Sequence, residues 1–264
     1  MYKWSYSYMV IDFTEIETDI PGAFAFFKDC GYAGVELNLT PQVLSRLDEL
    51  EVAARDHELV IPSMLTGAAY VEGLCLSSSD PAIRQRAVAR LQSYLPIATR
   101  FDSLLVVGLL QGLRSDEPDT DVANERIADG LRQVGEAALS QGVKLVIEPV
   151  NHLQVGFNNC VAEVQRLIAA IDVPVFAPMV DTIHMNIEET SLTAPIAGCG
   201  ATLGHVHLCE SNGGILGRGN IDFKSVLQAL ASVNYSGFAS VKVYRKASLL
   251  AGALASLEYL RKQE

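Results

Sequence analysis

The chain has 264 residues, 49% of them hydrophobic and 19% charged, with a formal net charge of −11. That composition supplies a large core and excludes a disordered chain, and its acidity argues against nucleic acid or an anionic membrane surface as partner. No apolar run approaches the roughly 18 residues that a bilayer span needs, and the five cysteines are scattered without a CxxC pair, as in buried free thiols of a reducing compartment.

Short apolar runs alternate with longer amphipathic ones along the whole chain. The opening "MYKWSYSYMVIDF" is patterned as a strand and lacks the apolar core of a signal segment, so a soluble, cytoplasmic protein is expected. "IPGAFAFFKDCG" follows as a helix closed by Gly31, and "AGVELNL" is the next strand. "PQVLSRLDELEVAARDHE" reads as one helix with Pro41 in its first turn. "LVIPSML" then precedes the helix of "DPAIRQRAVARLQSYLPIATRF", which Asp80 and Pro81 start. "SLLVVGLL" pairs with "VANERIADGLRQVGEAALSQG", and "VKLVIEPV" with "CVAEVQRLIAAI". "VFAPMVD" leads into a poorly defined segment before Gly198, "LGHVHLCE" pairs with "DFKSVLQALASV", and "GFASVKVY" with "ASLLAGALASLEYLRKQ".

Eight such units, with no linker or charge block to divide them, predict a single (β/α)8 TIM barrel over residues 1–264. A doubly wound open sheet is the competing architecture, and it carries a Gly-rich phosphate turn after its first strand. "VIDFTEIET" has none.

In a barrel the C-terminal ends of the strands face the catalytic mouth. Those positions hold Glu36, Glu148, Asp181, His207 and Lys242, with Asn38, His152, Gln154, His184 and Glu210 just beyond. Any one of them has a bland reading as a satisfied loop-edge residue. Glu148, Asp181 and His207 together say more: two carboxylates and an imidazole from adjacent strands suit a divalent cation such as Mn²⁺, Mg²⁺ or Co²⁺. His184 lies within reach of the same bound molecule, although Asp181 is equally suited to capping the next helix. His205 and His207 share a strand face, and His207 is nearer the mouth. "GGILGRGNIDF" lacks the spacing of a phosphate loop; it is either a flexible connection or a closing loop in which Arg218 meets an anion or hydroxyl. Lys242 is the anomaly, a lone ammonium between two valines on an apolar strand, where an unpaired charge is costly.

"GYAGVELNL", "VIEPVNH", "VDTIHMNIEE" and "GHVHLCESNGGILGRGNIDF" resemble segments of the xylose-isomerase-like barrel superfamily, which includes ketose 3-epimerases, inosose-processing enzymes and endonuclease IV-type nucleases. The resemblance runs along nearly the whole chain. It implies metal ligands at Glu148, Asp181, His207 and the position of Lys242, which in the epimerases is a glutamate. It also implies that the two glutamates form an acid/base pair acting beside a ketose carbonyl through an enediolate. His184 matches a substrate-contacting position. Gly213 stands where an arginine is expected, His152 in place of an arginine, and Gln154 in place of a glutamate.

The lysine leaves two outcomes. A metal binds through Glu148, Asp181 and His207 while Lys242 swings toward Glu210 or Glu36, or the ammonium replaces the metal and pairs with Glu148 and Asp181. A strand shifted by one residue would instead point Lys242 outward. The resulting expectation is a sugar or polyol isomerase or epimerase with Glu148 and Lys242 as catalytic residues. Its substrate, an unphosphorylated carbohydrate, would be held by His184, Glu36, Asn38, His152, Gln154, Glu210 and Arg218. A homo-oligomer, dimer or tetramer, is expected. A lyase or dehydratase on a keto-polyol and a metal-free, non-catalytic relative are the alternatives; a nuclease suits the five histidines and the acidity least.

Overall fold

The computed structural model describes residues 3–245 and 247–263. Eight strands, β1 (Ser5–Val10), β2 (Gly34–Asn38), β3 (Ser63–Leu65), β4 (Leu104–Val107), β5 (Leu145–Ile147), β6 (Phe176–Asp181), β7 (His205–Cys209) and β8 (Phe238–Lys242), close in sequence order into a parallel barrel. The ring is sealed by β1 against β8, with Ser7 opposite Ser240. Among the described residues the helices are α1 (Ile20–Cys30), α2 (Pro41–Leu44), α3 (Leu47–Asp56), α4 (Ala68–Val71), α5 (Pro81–Phe101), α6 (Thr120–Gln141), α7 (Val161–Ile171), α8 (Thr182–Glu188), α9 (Ala194–Cys199), α10 (Phe223–Ser232) and α11 (Leu249–Arg261). None of them is long and apolar enough to cross a membrane.

Local chemistry sets the ends of these elements. The Asp19 carboxylate accepts from Gly22 N–H to start α1, and Gly31 ends it at φ 98°, a left-handed turn that glycine adopts without strain. Asp80 and Asp119 cap α5 and α6 in the same way as Asp19. The stretch from Pro41 to Glu58 is two helices instead of one. Ser45 Oγ donates back to the Gln42 carbonyl at 2.8 Å, and Arg46, at φ −123°, leaves the helical region before α3 begins. The segment before Gly198 is better ordered than its sequence suggests. Asp181 accepts from Ile183 N–H to open α8, and Pro195 sits in the first turn of α9.

Two cores result. The larger lies between strands and helices and includes Phe24, Phe27, Leu91, Leu131, Phe223 and Leu257. A smaller one fills part of the barrel interior with Val106, Val146 and Met179, flanked by Leu65, Leu104 and Ala177. These six residues all come from β3 to β6. The opposite sector of the interior, from β1, β2, β7 and β8, carries Ser7, Glu36, His205, His207 and Ser240, all buried. The barrel is therefore greasy on one side and polar on the other, and the polar side leads up to the mouth. All five cysteines are free; Cys160 is half-buried and the rest are buried.

Candidate active site

Strand register brings the ionisable groups together. Asp181 on β6 lies beside His207 on β7, and Cys209, two residues further on, lies beside Lys242 on β8. Glu148 follows the last residue of β5, and its N–H is bonded to the Val107 carbonyl at 2.9 Å. Gly108 leaves room for its side chain, since a Cβ there would meet Glu148 Oε2 at 2.7 Å.

His207 stands at the centre. Its Nδ1 is 3.2 Å from Glu148 Oε1 and 3.5 Å from Asp181 Oδ2, while Nε2 is 3.2 Å from Glu36 Oε1. Glu36 Oε1 also lies 3.2 Å from His205 Nε2. Below that imidazole, Ser63 Oγ is 3.2 Å from the same nitrogen, and Ser240 Oγ is 2.5 Å from Ser7 Oγ. Lys242 completes the cluster from above. Its Nζ donates to Asp181 Oδ2 at 2.7 Å and lies 3.9 Å from Glu148 Oε1. Lys242 thus points into the mouth, on the same strand face as Ser240.

Burial opposes charge throughout the cluster, yet the partners prevail. It works to raise Asp181 and Glu148, but Lys242 and the imidazoles bring both below the ordinary carboxylate range. Glu36 is held well below it by His207 and His205. Burial pulls Lys242 down and Asp181 and Glu148 push it above an ordinary lysine. His207 is likewise raised against burial, chiefly by Glu36. His184 moves the other way, lowered mainly by burial.

His184 Nε2 lies 3.7 Å from both Glu148 Oε1 and Asp181 Oδ2. Its other nitrogen is set by Asn151, whose Nδ2 is 2.7 Å from Nδ1. Asn151 Oδ1 accepts from Leu153 N–H at 3.1 Å, which fixes the amide with its NH₂ toward the ring. Nδ1 must then accept, so the hydrogen of the neutral ring is on Nε2 and faces the carboxylates.

Above these groups is a cavity of about 170 Å³ lined by Glu148, His184, Lys242, Asn38, Gln154 and an apolar wall that includes Leu109. Asn38 Oδ1 and Glu36 Oε2 are buried with no hydrogen-bond partner. An orphaned acceptor in a cavity wall is a place for a ligand's hydroxyl. A larger hollow of about 850 Å³ lies between α6 and α7. None of the convergent groups reaches it, so its size alone gives it no chemistry.

Of the residues singled out in the sequence, the structure gathers Glu36, Glu148, Asp181, His184, His207 and Lys242, and places Asn38 and Gln154 in the cavity wall. Three fall elsewhere. His152 is exposed on the rim, its Nδ1 2.5 Å from Glu188 Oε1, because the turn after Asn151 directs it outward. Glu210 is fully buried but points into its own loop, accepting from the Ser211, Gly217 and Ile221 N–H groups at 2.8–3.1 Å. It is therefore no partner for Lys242. Arg218 is exposed on that loop. Sequence reasoning passed over Asn151, although it lies within "EPVNH". It also passed over Gln111, whose Nε2 donates to the Glu148 carbonyl at 3.1 Å and which nothing in the pattern distinguishes from a loop amide.

A closed parallel barrel with a buried acid, imidazole and ammonium cluster at its C-terminal mouth defines a TIM-barrel protein. The chain belongs to the xylose isomerase-like TIM barrel family, whose profile matches residues 24–263. It is 33% identical over 164 residues to an L-ribulose 3-epimerase of Mesorhizobium japonicum, covering 61% of this chain and 55% of that one. It is 31% identical over 206 residues to a D-psicose 3-epimerase of Enterocloster bolteae, covering 75% and 66%. The match thus spans little more than half to two thirds of these relatives' own length. Among solved structures, a D-allulose 3-epimerase of Methylomonas in complex with D-allulose superposes with a TM-score of 0.86 at 20% identity, over 100% of this chain and 98% of that one. A 3-keto-D-glucoside 4-epimerase of Escherichia coli gives 0.83 at 21% identity, over 99% and 100%. At such identity these two likenesses concern the fold.

Proposed function

We propose that the protein is a sugar or polyol epimerase or isomerase that moves a proton beside a carbonyl through an enediolate. The observation that carries this reading is the meeting of Glu148, His184 and Lys242 around one small cavity. Held below the ordinary carboxylate range, Glu148 is ionised at neutral pH and takes the proton from the carbon next to the carbonyl. As the C–H electrons shift into the carbonyl, negative charge develops on its oxygen. The Lys242 ammonium and the His184 Nε2–H are donors aimed at that charge. Delivery of the proton from the Glu148 carboxyl to the former carbonyl carbon gives the isomer. Delivery of a proton from Lys242 to the opposite face of the original carbon gives the epimer, after which the Glu148 carboxyl gives up its proton and the Lys242 amine takes one back through solvent. Asn38 Oδ1 accepts a substrate hydroxyl, and among the described residues no cluster of cations lines the cavity to receive a phosphate. L-ribulose, D-psicose and D-allulose, named for the relatives, are the first candidates as substrate.

The family implies a divalent ion of the Mn²⁺, Mg²⁺ or Co²⁺ kind, and the donors present decide whether it fits. Ligand atoms of Glu148, Asp181 and His184 lie within 4.8 Å of one another, a spacing that an ion could bridge. The chemistry of the set is less suitable. His184 presents a hydrogen instead of a lone pair, and Lys242 occupies the free side of Asp181 Oδ2 at 2.7 Å. As arranged, these residues do not fit a fully ligated ion.

The test is solvent deuterium exchange into a panel of ketoses, followed by NMR. Wild-type protein is expected to wash deuterium into the carbon beside the carbonyl, and Glu148→Gln to slow this about 10²–10⁴-fold while remaining folded. Loss of water from the product would favour the lyase reading; absence of exchange into any ketose would favour a non-catalytic relative.

A further inference from the structure

We propose that the Lys242 ammonium is the resident cation of this mouth: it holds the corner that a divalent ion would need, and the site works without a metal. The inference rests on reading the mouth as the seat of the carbonyl chemistry, but its test does not require turnover.

Backbone register comes first. Ser240 faces the barrel interior, where its Oγ is 2.5 Å from Ser7 Oγ and 3.5 Å from His205 Nε2. Side chains two apart on a strand share a face, so β8 delivers residue 242 to the mouth whatever its identity. A carboxylate there would add a ligand. This chain supplies an ammonium, 2.7 Å from Asp181 Oδ2 and 3.9 Å from Glu148 Oε1, on a side chain only 13% exposed.

Next come distances. A divalent ion sits about 2.0–2.2 Å from a ligating carboxylate oxygen. An ion shared by Asp181 and Glu148 would occupy the space of the Lys242 N–H groups, or stand one contact away from a second cation in a buried site. The donors nearest these two carboxylates are engaged, and the unpartnered Glu36 Oε2 belongs to a separate group with His205 and His207. Glu36 Oε1 serves His205 and His207, and His207 places its other nitrogen on Glu148 and Asp181. Asn151 turns the hydrogen-bearing nitrogen of His184 toward the same carboxylates. The two carboxylates are therefore faced by the Lys242 ammonium on one side and the His207 ring on the other, and these supply their local counter-charge.

The experiment compares metal uptake by wild type, Lys242→Glu and Lys242→Gln, each expressed in manganese-supplemented medium and purified without chelator. Elemental analysis is expected to find no stoichiometric Mn, Co or Mg in wild type. Its melting temperature should not move with added MnCl₂, CoCl₂ or MgCl₂. Lys242→Glu should retain one ion per chain and gain about 5 °C at saturating MnCl₂. Lys242→Gln, which only clears the corner, should gain a smaller shift, and it carries the comparison if Lys242→Glu does not fold. One ion per chain in wild type overturns the inference. So does a lysine-free variant whose melting temperature responds to metal no more than wild type's. Metal-free wild type with no deuterium exchange into ketoses would overturn the proposed reaction and leave the cation assignment standing.

Discussion

His184 has two ring nitrogens, and the loop after β5 distinguishes between them. Leu153 N–H holds the Asn151 amide oxygen and Asn151 Nδ2 meets Nδ1, so the mouth receives an N–H donor. Asn151→Asp replaces that NH₂ with a carboxylate of nearly the same shape. The hydrogen is then expected on Nδ1, leaving a lone pair on Nε2 that faces Glu148 and Asp181, where it cannot donate to an oxyanion. Imidazole ¹⁵N shifts should report the exchanged tautomer, and deuterium exchange should fall about 10²–10³-fold, the loss typical of one oxyanion donor. An unchanged tautomer would remove Asn151 from this role. Lys242 was legible at this scale because an ammonium on an apolar strand demands partners. Asn151 was not, because a loop amide carries no such cost.

The connection between β7 and α10 shows how an element can mislead a reading made residue by residue. Glu210 ends a strand among charged neighbours, and by position alone it belongs to the mouth. Three backbone N–H groups and Ser211 Oγ converge on it instead, and Gly219 passes so close that a Cβ would meet Oε1 at 2.3 Å. The glycine-rich stretch is thus a loop wound around a buried carboxylate, which explains why it carries no phosphate-loop spacing. Glu210→Ala leaves those donors without an acceptor and is expected to cost about 2–3 kcal/mol. Hydrogen exchange at Gly217 and Ile221 should quicken more than at β7 or α10. Protection that stays uniform would mean the loop is held by its apolar contacts. Strand and helix periodicity were visible throughout the sequence because each period is local. The breaks at Ser45 and after Asp181 depend on single side-chain to backbone bonds, which periodicity does not register.

Across the whole molecule the barrel interior is divided, with Val106, Val146 and Met179 packed on one side and a buried chain of polar groups on the other. The alternation of short apolar runs with longer amphipathic ones made the barrel readable, and the carboxylate and imidazole types at strand ends did the same for the mouth. The pairing of Glu36 with both His205 and His207 was not readable, because it depends on strands that meet only when the ring closes. That pairing links stability to pH. His207 is raised in the folded chain, chiefly by Glu36 against the pull of burial, above the roughly 6.5 of an unfolded histidine. A raised group contributes stability that is present in full below its unfolded value and is lost as pH climbs through the folded one. Glu36→Gln keeps the shape but removes the charge that does most to raise His207. At pH 6 it should be less stable than wild type by about 1–3 kcal/mol, and the gap should narrow as pH rises because only wild type still has this contribution to lose. Denaturant melts of both proteins between pH 6 and pH 9 check the trend. Two curves that run parallel over that range would show that Glu36 supports the barrel through packing alone.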